Sequence, residues 1–317
     1  MKAIVQNAYG SPEVLTLAEV EKPAIKDGEV LVRVRATSIN AGDYFTMRGN
    51  PWLLRFSVGL FRPKNHILGW DVAGTVEAVG NGVTRLKPGD EVFGGVDAAF
   101  AEYVAASEGR LAPKPANLSF EQAAAVPIGA LTALQGLRNA GKVRPGQRVL
   151  VNGASGGVGS FIVQIAKALG AEVTGVCSAK NVDLVRSLGA DHVIDYTSED
   201  FTTGQARYDI IMDQVGNRRL SHLRRVLTPT GRIQPNTGHG GMSYVLKSLV
   251  LSLFRRQHGK LFISNSNRED LLTLKELIEA GKLNPAIERT YPLGELPEAM
   301  RYAEQGHVRG KLVITVS

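Results

Sequence analysis

The spacing of apolar positions changes near residue 118. Before it, short β-branched runs at 3–5, 14–20, 30–36, 73–79, 91–93 and 100–104 are parted by Gly10-Ser11-Pro12, Lys26-Asp27-Gly28, Asn81-Gly82 and Lys87-Pro88-Gly89-Asp90. Many short strands with such punctuation predict a compact, barrel-like β-domain. Pro88 suits the first central position of a type I or II turn. After residue 118 helix and strand alternate. Ser119 starts one helix, and 128–139, 158–169, 181–188 and 220–227 read as others. Apolar runs at 149–151, 172–177, 192–196, 208–213 and 231–235 read as the strands between them. That alternation predicts a parallel sheet covered on both faces. A helix over 268–280 and a strand over 311–316 follow, the strand returning to the first domain.

Two apolar stretches fit this scheme less directly. Residues 44–62 carry more apolar side chains than a loop needs and either line a pocket or form a satellite core. Residues 242–256 place Met242, Leu246, Leu249, Val250 and Leu253 on one helical face, and Ser248, Ser252, Arg255 and Arg256 on the other. We read them as a helix packed over its own domain, with a lid or a weak membrane-surface contact as alternatives.

The stretch at 149–171 carries the chemistry. A short buried-type strand breaks at Gly153-Ala154-Ser155-Gly156-Gly157-Val158-Gly159 and resumes as an apolar helical pattern that stops at Gly170. Strand, glycine turn and helix together form a context in which backbone N–H groups can meet a diphosphate at a helix N-terminus. The spacing is G-x-x-G-x-x-G, so dinucleotide binding and a tight structural turn both remain open here. The next strand ends in Cys177-Ser178-Ala179-Lys180-Asn181, with no acid before Asp183. An NAD site places a carboxylate near this tip, whereas a hydroxyl and a lysine suit a 2′-phosphate. The expected cofactor is NADP(H).

Composition narrows the class. The 317 residues, 44% of them hydrophobic, can bury two cores. The single cysteine, Cys177, excludes an internal disulfide and any multi-cysteine zinc site and fits a reducing compartment. No signal or transit peptide is visible and no run reaches the length of a membrane span, so the expectation is a cytoplasmic protein. The formal net charge of +7 suits an anionic cofactor, and no nucleic-acid motif accompanies it.

The motifs together resemble the zinc-independent quinone oxidoreductase family of the medium-chain dehydrogenase/reductase superfamily. They are Ser38-Ile39-Asn40-Ala41-Gly42-Asp43, ILGWDVAGTVEAVG at 67–80, LKPGDEVFG at 86–94, Leu131-Thr132-Ala133-Leu134, NGASGGVG at 152–159, LGADHVIDY at 188–196, GKLNPAIERTYPL at 281–293 and Gly310-Lys311-Leu312-Val313. The resemblance implies an α/β chain with two parts. A GroES-like β-barrel catalytic domain would span 1–117 and 266–317, and a Rossmann domain with a doubly wound parallel sheet would span 118–265. It also implies a cleft holding the nicotinamide and a homodimer formed through the Rossmann sheets.

Zinc-dependent relatives hold their metal with a cysteine and a Gly-His-Glu segment; the corresponding places here read Asn40 and Gly69-Trp70-Asp71. His66 lies nearby and reads as structural. A site without a Lewis acid suits an acceptor that is already electrophilic, a quinone or an α,β-unsaturated carbonyl. The resemblance puts Asn40 near nicotinamide and substrate, while a purely local capping role is the alternative. Several relatives carry a tyrosine or lysine where this chain has Phe45, which leaves Tyr44 as the candidate proton donor. It further implies that Ser155, Gly156, Gly157 and Val158 contact the diphosphate, that Ser178 and Lys180 hold the 2′-phosphate, and that Tyr196 borders the adenosine. Thr132, Gly216, Thr237 and Gly238 would line the nicotinamide side, and Phe262 and Ile263 would close over it or join the dimer edge. The expected activity is NADPH-dependent reduction of a quinone or activated alkene. An enoyl or polyketide-type biosynthetic reductase and a non-catalytic nucleotide-binding partner protein are the rivals.

Overall fold

The computed structural model describes residues 1–235, 257, 259 and 264–317. The helix expected over 242–256, and the candidates Thr237, Gly238, Phe262 and Ile263, lie outside the described residues. The chain divides into two compact units, Met1–Leu131 with Ser266–Gly281 and Pro285–Ser317, and Thr132–Asn265 with Lys282–Asn284.

The first unit is built on β3 (Glu29–Ser38), whose residues alternate between buried and outward positions over Val30, Val32 and Val34. One edge of β3 pairs antiparallel with β4 (Asp71–Val79). The other edge is shared: its first half pairs with β6 (Tyr103–Ser107) and its end with β14 (Lys311–Thr315). β5 (Glu91–Gly95) and β7 (Leu111–Pro113) extend the sheet beyond β4, and β13 (Ile287–Pro292) lies beside β14. A two-stranded sheet pairs β1 (Lys2–Val5) with β2 (Thr16–Glu19). The core gathers Val30, Val32, Val34, Met47, Val72, Phe100, Met300 and Ile314. α1 (Ala41–Arg48) buries Thr46 and Met47, whereas the following turn and α2 (Arg55–Val58) bury nothing. A satellite core therefore does not form over 52–61.

The boundary between units falls after Leu131, not at 117/118. α3 (Phe120–Ala124), capped by Ser119 accepting from the Gln122 N–H at 3.2 Å, buries Ala123 and Ala124, and Phe120 lies beside the Arg35 guanidinium of β3. α4 (Pro127–Gln135) begins with Ile128 donating its N–H to the Asp71 carboxylate. These contacts hold residues 118–131 to the β-rich unit.

The second unit is a parallel sheet in the order β10 (His192–Asp195), β9 (Glu172–Cys177), β8 (Arg148–Asn152), β11 (Tyr208–Asp213), β12 (Leu227–Pro235). β8, β9 and β11 are buried along nearly their whole length, as strands covered on both faces must be. α5 (Gly159–Ala168), α6 (Val182–Ser187) and α7 (Leu220–Arg225) follow β8, β9 and β11. The chain leaves β8 toward β9 on one side and later returns to place β11 on the other. The switch point therefore lies at the carboxyl ends of β8 and β11.

α8 (Arg268–Glu279) and α9 (Leu296–Glu304) complete the described helices; α9 packs its Leu296, Ala299, Met300 and Ala303 face into the first unit's core. Among the described residues no helix is long and apolar enough to cross a membrane.

Candidate active site

Sheet pairing in the first unit brings three distant polar residues together. Val313 faces Ser38 across β14 and β3, and Ala36 faces Ala73 across β3 and β4. This places Lys311 at the start of β14, Asn40 just past β3 and Asp71 at the start of β4 within bonding reach. The Lys311 ammonium donates to Asn40 Oδ1 at 2.6 Å and to Asp71 Oδ2 at 3.1 Å. Asn40 Nδ2 donates to the same Asp71 oxygen at 2.8 Å, and Ser38 Oγ at 2.5 Å. The Ile128 N–H donates to Asp71 Oδ1 at 2.7 Å, and Thr37 Oγ1 to the Asp71 carbonyl at 2.6 Å. Asp71 is fully buried and Lys311 nearly so. A buried ion pair costs desolvation on both sides, and only a fully satisfied set of hydrogen bonds offsets it.

Asn40 stands at the N-terminus of α1 and forms a capping box with Asp43. Its N–H donates to Asp43 Oδ2 at 2.8 Å and its carbonyl accepts from the Asp43 N–H at 3.0 Å. The amide bonds Lys311 and Asp71, which between them hold its orientation. With Oδ1 taken by the ammonium and one Nδ2 hydrogen by the carboxylate, the second Nδ2 hydrogen is the donor this half-buried group has to offer. Asp43 also accepts from the Gly69 N–H at 3.2 Å. Burial pushes its carboxyl up to about 7; the Asp71 charge adds to the rise, and the two N–H bonds and the Lys311 charge oppose it.

Tyr44 is half-buried against the core of the first unit, its ring 4.8 Å from that of Phe45. Burial first, and the Glu304 charge second, push its hydroxyl up to about 12. It therefore keeps its proton at neutral pH. His66 Nδ1 meets the Gln6 carbonyl at 3.2 Å and takes no part in the Asp71 cluster.

In the second unit the glycine-rich turn sits at the end of β8. Gly153 has φ +89, a conformation open to glycine, and a Cβ on Gly159 would collide with the Gly153 backbone. The Gly153 and Ala154 N–H groups bond the Val176 carbonyl of β9 at 3.1 and 3.0 Å. Ser155, Gly156, Gly157 and Val158 are half-exposed at the start of α5. Beside them, Asn181 Nδ2 donates to Ser155 Oγ at 3.0 Å and to Ser178 Oγ at 3.3 Å, tying the glycine turn to the tip of β9. Asn181 Oδ1 is buried and meets no donor among the described residues. Lys180 and Tyr196 are exposed at the same edge.

The switch point has its own polar lock. Asn152 Nδ2 donates to Asp213 Oδ1 at 2.8 Å, both groups being buried. The same carboxylate oxygen accepts from the Val215 and Gly216 N–H groups at 3.3 and 3.0 Å. Gly216 has φ +70, so the turn that carries it depends on glycine. Thr132 Oγ1 donates to Ser264 Oγ at 2.8 Å, and Gln135 bonds the backbone of Asn265 twice.

Three organising residues escaped the reading of the sequence. Asn181 lies three residues after Ser178, a spacing that could have suggested the link. Asp213 and Asn152 gave no local signal, because they meet only through parallel pairing. A further finding concerns the β9 tip. Asp195 of β10 pairs with Cys177, and its carboxylate accepts from the Thr197 N–H and hydroxyl at 2.9 and 2.7 Å and from the Ala179 N–H, which holds it below the usual carboxylate range. Counting acids along the chain after Cys177 missed this one, which the sheet supplies from the neighbouring strand.

Comparison with known proteins now adds to this geometry. Residues 26–116 match the family described as alcohol dehydrogenase GroES-like domain, and residues 188–314 that described as zinc-binding dehydrogenase. The NADPH-dependent alkenal/one oxidoreductase of Arabidopsis thaliana, a chloroplastic protein, is 33% identical over 99% of this chain and 79% of its own length. The solved quinone oxidoreductase from Coxiella burnetii superposes with a TM-score of 0.90 at 33% identity, covering 100% of this chain and 99% of that one. The chain belongs to the quinone oxidoreductase family of medium-chain dehydrogenases/reductases. The fold of this family, a GroES-like domain with a Rossmann-like parallel sheet, accounts for both units described above. The solved CurK enoyl reductase is also similar, with a TM-score of 0.88 at 26% identity over 100% of this chain and 99% of that one.

Proposed function

We propose that this protein is an NADPH-dependent reductase of quinones or activated alkenes that works without a metal ion. The observation that carries the reading is the ammonium of Lys311, lying 2.6 Å from Asn40 Oδ1 and 3.1 Å from Asp71 Oδ2. These donors do not suit zinc. They include neither thiolate nor imidazole, the carboxylate is already saturated with hydrogen bonds, and a cation occupies the space beside it. A dication there would meet the ammonium in a low-dielectric setting, where like charges repel strongly.

The second unit fits a phosphorylated dinucleotide. A diphosphate would lie against the start of α5, where Ser155, Gly156, Gly157 and Val158 would hold it. Ser178 and Lys180 stand at the β9 tip to hold a 2′-phosphate, and Asp195 leaves this preference open because its carboxylate is engaged by Thr197 and Ala179. Asn181 Oδ1, buried and without a donor among the described residues, offers an acceptor to a ribose hydroxyl. Tyr196 would border the adenosine, and Thr132 and Gly216 would line the nicotinamide side.

NADPH, when bound, supplies the hydride. The chain's own contribution is to stabilise the negative charge that arrives on the acceptor oxygen. Asn40 donates its free Nδ2 hydrogen to that oxygen, and its amide is polarised by the ammonium on Oδ1. Tyr44, which holds its proton, can add a hydrogen bond but is a weak acid; solvent completes protonation of the enolate or hydroquinone oxygen. The single cysteine, buried in β9, fits a reducing compartment such as the cytoplasm, and a homodimer built through the parallel sheets belongs to the same reading.

NADPH consumption with a panel of quinones, enones and enoyl thioesters tests this directly. Turnover with quinones or enones is expected, undiminished by prolonged chelation. Turnover confined to enoyl thioesters would favour a biosynthetic reductase, which the likeness to CurK supports. Loss of activity together with stoichiometric zinc would overturn the metal-free reading.

A further inference from the structure

Between Asp43 and Asp71 the sequence has no aspartate or glutamate, yet it carries Arg48, Arg55, Arg62 and Lys64. The same segment exposes Trp52, Leu53, Phe56, Leu60 and Phe61; the other exposed large hydrophobic side chains among the described residues, Leu17 and Tyr196, stand elsewhere. Trp52 and Phe56 are each 62% exposed and Phe61 90%. Isolated exposed apolar residues need no explanation, but a concentration of five within ten positions does.

The segment is braced from below. The Tyr9 hydroxyl donates to the Gly59 carbonyl at 2.5 Å, and the Lys64 N–H to the Val58 carbonyl at 2.8 Å. Arg55 lies over the Tyr9 ring, 4.5 Å from its centroid, and donates to the Gly49 carbonyl. The Trp52 and Phe56 rings pack on each other at 5.4 Å. Gly59 has φ +125, and a Cβ there would run into the Arg62 backbone, so the turn that leads to Leu60 and Phe61 depends on glycine. The apolar side chains are thus presented by a fixed scaffold. Arg48 is neutralised by a two-point pairing with Glu304, which leaves Arg62 and Lys64 as the exposed cations.

We propose that residues 52–64 form a membrane-surface contact, seating Trp52, Leu53, Phe56, Leu60 and Phe61 at the headgroup boundary of an anionic bilayer with Arg62 and Lys64 against lipid phosphates. Tryptophan and phenylalanine favour that boundary, and exposed cations with no acid in the segment complement an anionic surface. An anionic leaflet accounts for both the apolar side chains and the exposed cations Arg62 and Lys64. The proposal is independent of the reductase reading, because binding is measured without cofactor or acceptor.

The test is co-sedimentation of the full chain with phosphatidylcholine vesicles, with and without phosphatidylserine. The native protein should bind the anionic vesicles and be released by salt. Combined Trp52→Ser, Phe56→Ser and Phe61→Ser should weaken binding by roughly tenfold or more, since each buried aromatic ring contributes strongly. Arg62→Glu with Lys64→Glu should abolish the preference for phosphatidylserine. All five positions are exposed, and an unchanged thermal melt shows that the fold is kept. In a second measurement, brominated lipid should quench tryptophan emission of the native protein but not of Trp52→Phe. Absence of binding to anionic vesicles, or equal binding by the triple-serine variant, would overturn the proposal. So would quenching that persists in Trp52→Phe, which would put the contact elsewhere. Concentration-dependent self-association abolished by the triple-serine variant, without vesicle binding, would make the patch an interface between copies.

Discussion

The polar cluster of the first unit and the glycine turn of the second are built on opposite principles. In the first unit, Asp71, Lys311 and Asp43 are charge-bearing groups withdrawn from water and held by a dense set of hydrogen bonds. In the second, the glycine turn and the β9 tip stay half-exposed, and Lys180 stands in solvent. The first arrangement is stiff and expensive to disturb, and it presents one amide in one orientation. The second is shaped by backbone and leaves its charges free, which suits a ligand that brings its own negative charge. Damage to the first cluster should therefore appear mainly as lost stability and turnover, and damage to the second as lost affinity.

The largest effect is expected at Lys311. Lys311→Met leaves the Asp71 carboxylate buried without its cation, at a cost of about 3–5 kcal/mol in unfolding free energy. Denaturant titration measures it. Adding Asp71→Asn should recover part of the loss, because the uncompensated charge is then gone. If the double variant is no more stable than Lys311→Met, the pair is not acting as a pair. In whichever variant folds, kcat should fall more than KM rises, since Asn40 loses the bond that orients it.

An intermediate effect is expected at the β9 tip. Lys180→Ala should raise the Kd for NADPH roughly 10- to 150-fold, the scale of a charge-assisted hydrogen bond, and leave NADH binding and thermal stability unchanged. Titration of both cofactors decides it. Equal losses for the two would remove the 2′-phosphate role.

The smallest effect concerns Asp43. Its carboxyl titrates near 7 in the folded chain and in the ordinary acid range when unfolded. Between those values the folded state holds a proton that the unfolded state has lost, so stability falls as pH rises toward 7 and levels off above it. The Asp71 charge raises the Asp43 pKa further and the Lys311 charge lowers it. Asp43→Asn should flatten the dependence by about 1 kcal/mol between about pH 6 and 7, read from urea midpoints. An unchanged slope would assign the dependence to other groups.

The amino-acid sequence by itself determined the alternation of strands and helices, the glycine turn and the division into a β-rich and a parallel-sheet unit. These follow from periodicity and local backbone chemistry, which act over a few residues. It also marked Asn40, because the motif around it is contiguous. Local patterns left the first boundary too early, since 118–131 is helical and only its packing on β3 and the Ile128 bond to Asp71 show which unit holds it. Lys311 was part of a recognised motif, but its role was not legible: 240 positions separate it from Asp71 in the chain, and β3 brings them together. Asp195 was hidden for the same reason, reaching the β9 tip across a strand pair. Tertiary structure alone decided which charges share a site. Electrostatic energy depends on distance and burial in space, and neither can be counted along a sequence.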